Sequence, residues 1–138
     1  ELVVAVGENG EVAGWAVGVD LTRRDLQSEA KAKGRPWEAG KAFDRPAPIG
    51  PLHPASRIGH PAKGAVWVQV DGKDRQRSDI ANLIWSVPEV IADLSKYFEL
   101  QPGDLIYTGT PEGVAAVARG QTMTGGIEGL GELKVKVV

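Results

Sequence analysis

The residues of this chain best suited to chemistry are acids beside apolar strands, with a few cations close behind them. Asp20 closes the apolar run Trp15–Val19 and stands just before a helical pattern that carries Arg24 and Gln27. An acid there has two readings. It caps a backbone N–H ahead of the helix, which needs no partner, or it ligates a metal ion, which needs a second acid nearby. Glu1 is that second acid, because it flanks the apolar run Leu2–Val6. Two such strands side by side bring their acids to one edge of a sheet. The chain has no cysteine, which excludes thiolate chemistry and cysteine zinc sites and leaves carboxylates and two histidines as ligands. Oxygen ligands point to magnesium, manganese or calcium.

The cations have bland alternatives too. Arg24 and Gln27 lie three apart on one helix face, where a guanidinium can fork a carboxylate. Arg23 faces elsewhere, into solvent. Lys41, in GKAFD, is either a solvated lysine or a fixed positive charge for a developing oxyanion. The segment TGTPEG, Thr108 to Gly113, sets hydroxyls and free N–H groups at a strand end. It reads equally as a tight glycine turn and as a cradle for a carboxylate or oxyanion. His53 and His60 each precede a proline and read as loop residues. Trp15, Trp37, Trp67 and Trp85 have no spacing for a base-stacking platform and read as core or loop anchors.

The elements that must position these groups are mostly strands. At 138 residues, 42% hydrophobic and 25% charged, the chain suits one ordinary soluble domain. A net charge of −2 with scattered basic residues offers no nucleic-acid face. No apolar run approaches the roughly 20 residues of a membrane span, and no signal peptide is visible, so the expected setting is the cytoplasm. Strand patterns cover Glu1–Val6 and Trp15–Val19. Arg23–Lys33 reads as a helix, with Thr22 and Asp25 spaced as a capping box and Gly34 and Pro36 as the stop. Arg35 to Lys63 holds most of the prolines without periodicity, the mark of a functional loop or a disordered one. Val66, Val68 and Val70 alternate into Asp71-Gly72, a strand entering a hairpin. Ser86-Val-Pro-Glu89 forms a second capping box, and Val90, Ile91, Leu94 and Phe98 follow at helical spacing until Gln101-Pro102-Gly103. Asp104–Tyr107 is another strand, and the final ELKVKVV is a strand with one face in water. The pattern predicts one α+β domain over residues 1–138, dominated by antiparallel sheet.

Taken in order, ELVVAVG, VGVDLTRRDLQ, GKAFD, VWVQVDGKDRQ, IWSVPEVIADLS, LQPGDLIYTGTPEGV and IEGLGELKV resemble the fumarylacetoacetate hydrolase family over nearly the whole chain. The combination of GKAFD…APIGP, GHPAKG and LIWSVPEVIADLSKYFELQPGDLIYTGTPEGV most resembles its bacterial members that cleave fumarylpyruvate in gentisate breakdown. The resemblance implies a mixed, mainly antiparallel β-roll with short helices that forms homodimers. It implies a divalent ion, Mg2+ or Mn2+ (or Ca2+ as found in a crystal), held by Asp20 and Glu1, which match the aspartate and the second glutamate of the family's metal motif. Arg24, Gln27 and Thr110 match substrate-binding positions, and Lys41 matches the active-site lysine. The implied reaction is hydrolysis of an acylpyruvate, fumarylpyruvate to fumarate and pyruvate. Its partner is a small 2-oxo diacid, with no nucleic acid and no membrane. Decarboxylation of oxaloacetate-like acids and isomerisation of hydroxymuconate-type diacids are related outcomes, and a non-catalytic dimeric diacid-binding relic is the reading from another class. The family's first metal glutamate would lie two positions before Glu1, its histidine–glutamate dyad lies further upstream, and its Gly7–Gly14 connection is longer. The expectation is therefore a catalytic domain lacking its N-terminal lid segment and part of that connection.

Overall fold

Two four-stranded sheets organise the chain, and the computed structural model describes residues 1–138. In the first sheet, β1 (Leu2–Val6) lies between β2 (Val12–Val17) and β6 (Leu105–Tyr107), with β3 (His53–Pro54) beyond β2. The second runs in the order β5 (Lys73–Asp79), β4 (Ala65–Val70), β7 (Thr122–Ile127) and β8 (Gly131–Lys136). Every pairing is antiparallel. Short helices α1 (Arg24–Ala32), α2 (Glu38–Lys41), α3 (Ala55–Ile58) and α4 (Val87–Leu94) sit in the connections. This is the α+β, mainly antiparallel architecture expected. No helix is long and apolar enough to cross a membrane.

Strand β1 reads LVVAV without alternation because all of its residues are buried, which happens when a strand is covered on both faces. Leu2, Val4 and Val6 join Trp15 and Val17 of β2 with Val66 and Ile127 of the second sheet in one core. Helix α4 adds Val87 and packs Val90, Ile91 and Leu94 against it. That helix starts as the capping signal requires, with Glu89 accepting from the Ser86 N–H and hydroxyl at 2.7 Å each. Phe98 departs from the expected stripe and is 63% exposed. The Tyr97 and Phe98 amides both turn onto the Leu94 carbonyl, which closes the helix before Phe98 can join its buried face.

The structure differs from the sequence reading in three further places. Strand β7 carries Gly125 and Gly126, residues that weaken a strand signal. Gly126 is required there, because a Cβ would run into the indole of Trp67 on β4. The stretch 35–63, read as a loop or disordered, carries α2, β3 and α3 and is tied down: Val19 and Leu21 donate to the carbonyls of Pro48 and Pro46 at 3.0 and 2.8 Å, and Trp15 Nε1 donates to Gly59 at 3.0 Å. Helix α1 starts at Arg24 with no side-chain cap, so Thr22 and Asp25 do not form the predicted box. The β1–β2 connection itself is a 3-10 turn at Glu8–Gly10, with Asn9 at φ 57°.

The Asp71-Gly72 turn forms as predicted, with φ 49° and 76°, the left-handed pair of a tight hairpin. Where β5 ends, Asp79 accepts from the Gly64 and Ala81 N–H groups at 3.0 and 2.8 Å. These bonds stabilise the carboxylate and hold Asp79 below the usual carboxyl value, with Ala81 the larger cause. A depressed folded-state value gives stability that is present above the unfolded value near pH 4 and lost as pH falls through the folded one. Asp79→Ala should therefore lower the thermal midpoint at pH 7, and its gap from the parent should narrow steadily below about pH 4. A gap that stays constant to pH 2.5 would mean that the carboxylate charge contributes nothing.

Candidate active site

Antiparallel pairing explains why the two acids meet. With Leu2 opposite Val17, the start of β1 lies against the end of β2, and the Gly18 N–H donates to the Glu1 carbonyl at 3.0 Å. Asp20 follows two residues later. Gly18 has to be glycine, since a Cβ there would run into Val3 and Tyr107. On the other side of β1, β6 delivers the TGTPEG segment: Thr108 bonds the Leu2 carbonyl through its N–H and its hydroxyl, at 3.1 and 2.9 Å. The next N–H, of Gly109, then donates to Glu1 Oε2 at 3.0 Å. Burial raises the Glu1 carboxyl above its usual value and the Asp20 charge adds to this, while the Gly109 N–H and Lys41 pull the other way. Burial, followed by the charges of Glu1 and Asp20, also raises the Tyr107 phenol.

Lys41 is the last residue of the short helix α2. Its Nζ donates to Asp20 Oδ1 at 2.6 Å and to Thr22 Oγ at 3.0 Å. Asp20 therefore faces a lysine rather than capping the helix, and Thr22 serves the same lysine. The lysine is placed by backbone packing: Gly40 sits with its Cα facing the Gln27 N–H, and its carbonyl accepts from the Arg23 N–H at 2.9 Å. Arg23 is exposed, as read from sequence, and also stacks its guanidinium 4.5 Å above the Phe43 ring beside the lysine turn. Arg24 and Gln27 share the expected face, with Arg24 Nη1 donating to Gln27 Oε1 at 2.9 Å. That bond consumes the amide oxygen and leaves the Gln27 NH2 as a donor.

All six residues singled out from sequence, Glu1, Asp20, Arg24, Gln27, Lys41 and Thr110, line one cavity of about 510 Å³. Val68, Val70 and Met123 of the second sheet form an apolar wall opposite the charged rim. Neither histidine lines it. His53 pairs with Trp15 across β2 and β3, and His60 meets the Trp15 ring edge-on at 5.8 Å. Sequence reading missed Phe43 and Gln76, which also line the cavity. Phe43 lay within GKAFD and Gln76 ends VWVQVDGKDRQ, but Gln76 sits in the uniformly polar KDRQRSD, whose pattern does not single it out.

The donor set fits a hard divalent ion. Glu1 and Asp20 bring two carboxylates to this cavity, oxygen ligands of the kind a magnesium-type ion takes. Magnesium-type ions are commonly bound this way, with water and substrate oxygens in the other positions. Gly109 engages one oxygen of Glu1 and Lys41 one oxygen of Asp20, so each acid keeps an oxygen without a protein hydrogen bond. A cation held by both would also relieve the charge that Asp20 places on Glu1.

The family profile described as fumarylacetoacetate (FAA) hydrolase C-terminal matches residues 9–138. Over 99% of its length the chain is 44% identical to a fumarylpyruvate hydrolase of a Ralstonia species, covering 76% of that protein. It is 38% identical to the mitochondrial oxaloacetate tautomerase of Rattus norvegicus, with 99% of the chain against 66% of the relative. Among solved structures, the fumarylpyruvate hydrolase of Pseudomonas aeruginosa in complex with Mn2+ and pyruvate superposes with a TM-score of 0.95 at 60% identity. That match covers 100% of this chain and 64% of the other. The chain thus spans a little under two thirds of the Pseudomonas and rat proteins.

Proposed function

The chain belongs to the fumarylacetoacetate hydrolase family, and from that premise we propose that it is the catalytic domain of a metal-dependent acylpyruvate hydrolase, with fumarylpyruvate as substrate. The observation that carries this reading is the convergence of two carboxylates, a lysine, an arginine–glutamine pair and a threonine on one cavity. The Mn2+ and pyruvate in a relative 60% identical to this chain support it.

Glu1 and Asp20 are the residues that would hold Mg2+ or Mn2+. The ion, when bound, supplies Lewis acidity toward the oxygens of a 2-oxo acid. Arg24, Gln27 and Thr110 bind and orient the substrate carboxylates through N–H and O–H donors. Lys41, fixed by Asp20 and Thr22, presents a preorganised ammonium to the oxygen on which charge develops. Valine and methionine side chains on the opposite wall exclude bulk water and strengthen those charges. One water is consumed: its hydroxyl ends on the distal acyl carbon, the bond from that carbon to pyruvate C3 breaks, and C3 takes the proton. The family resemblance assigns the deprotonation of that water to the upstream dyad.

The rat relative favours a second reading, enol–keto interconversion of oxaloacetate on the same residues, since both routes stabilise an enolate. Homodimerisation and a cytoplasmic role in aromatic catabolism complete the proposal. The test follows the enol absorbance of fumarylpyruvate with purified full-length protein, with and without magnesium or manganese. Metal-dependent decay with release of fumarate and pyruvate is expected. Interconversion of oxaloacetate without cleavage of fumarylpyruvate would replace the hydrolase by the tautomerase. Silence toward both would leave a non-catalytic diacid-binding protein.

A further inference from the structure

We propose that Gln76 is a positioning residue that sets the hydrogen-bond polarity of Thr110, making its hydroxyl a donor toward the substrate carboxylate. The inference rests on the acylpyruvate reading of the cavity. Gln76 stands on β5 opposite Val68, and its amide nitrogen donates to the Pro111 carbonyl at 2.5 Å and to Thr110 Oγ at 2.9 Å. A carbonyl oxygen can only accept, so the Pro111 contact determines which end of the amide faces the loop. The NH2 end therefore faces Thr110 as well. Thr110 accepts from Gln76, and its own proton is left for another acceptor. In the cavity that acceptor is a carboxylate oxygen, which has no proton to give in return.

A second contact keeps the loop from backing away. Gly113, at φ +96°, lies so close to the Arg75 carbonyl that a Cβ would collide with it. The loop is thus seated on β5 at two neighbouring residues, Arg75 and Gln76. Thr110 is held at the cavity with its proton pointed away from the strand. A ligand atom that can only donate, such as an ammonium, would meet that proton head-on, so the arrangement favours an acceptor oxygen.

The test is a double-mutant cycle in the full-length protein with Mn2+ present, reading the dissociation constant of pyruvate together with KM and kcat for fumarylpyruvate. Thr110→Val is expected to weaken pyruvate and raise KM about ten- to a hundredfold, the size of a lost hydrogen bond to a charged group, with the smaller change in kcat. Gln76→Glu preserves shape but only accepts, so it captures the Thr110 proton and should cost about as much. Gln76→Met removes both bonds yet leaves the hydroxyl free to turn, and should cost less than about fivefold. A merely structural tie predicts the opposite order, because Met forfeits two bonds and Glu retains one. In the Thr110→Val background, Gln76→Glu should add nothing. A persistent loss there would assign its effect to charge repulsion and overturn the proposal. If Thr110→Val binds pyruvate like the parent, the substrate role of Thr110 falls and the proposal falls with it. If Thr110→Val is impaired but Gln76→Glu is not, the proposal alone is overturned.

Discussion

Lys41→Ala is expected to slow turnover of fumarylpyruvate a hundredfold or more while leaving metal affinity close to that of the parent. The lysine is not a loose surface cation. Its ammonium is held by Asp20 at 2.6 Å and Thr22 at 3.0 Å, and its side chain is 33% exposed. The turn that carries it is fixed by the Gly40–Arg23 backbone bond and the Arg23–Phe43 stack. A charge fixed before the reaction costs no reorganisation when negative charge develops on the substrate. Losing one such group typically raises a barrier by about 3 kcal/mol. Stopped-flow measurement of kcat beside a metal titration separates the possible roles. A fall in kcat at unchanged metal affinity supports direct stabilisation of the enolate oxygen. Near-normal turnover would remove Lys41 from the mechanism. A loss that tracks weakened metal binding would make it a residue that arranges Asp20.

Asp20→Ala should weaken magnesium and manganese binding by more than about a hundredfold, beyond the 10–100-fold range typical of partners outside the ligand set. The expectation follows from the placement of Asp20, which lines the cavity with Glu1 and keeps one oxygen free of protein hydrogen bonds. The competing role is ion pairing with Lys41, which Asp20 performs here. Calorimetric titration of the parent and the variant, with far-ultraviolet circular dichroism to establish folding, decides between them. An unchanged titration would leave Asp20 as the anchor of Lys41 and nothing more. Asp20→Asn sharpens the test, because it keeps one oxygen and the shape but removes the charge that a divalent ion needs.

The fold was legible where the signal is local. The continuous run in β1, the Asp71-Gly72 turn, the Ser86–Glu89 cap and the alternation of β8 are each written within about ten residues, because strand faces, turn dihedrals and helix ends depend on immediate neighbours. Strand β7 was not legible, because the reason for Gly126 is the indole of Trp67, almost sixty positions away. Phe98 matched a helical period, but the Leu94 carbonyl ended the helix first. Arg23 is exposed as read, but a helix wheel has no knowledge of its stack on Phe43, which comes from a different segment.

For the site, residue types and family resemblance named the members, and the sequence by itself determined that they would be carboxylates and donors rather than thiolates. It also determined the two apolar strands that Glu1 and Asp20 flank. Only the tertiary structure decided which atoms face one another. Antiparallel pairing set Glu1 beside the end of β2, β6 carried the Gly109 N–H across more than a hundred residues to Glu1, and the pinned loop brought Lys41 to Asp20. Gln76 gained its relation to Thr110 when the second sheet met the loop after β6. Local propensity acts over a few bonds, whereas hydrogen-bond polarity and charge proximity depend on distances that exist only once the two sheets have packed.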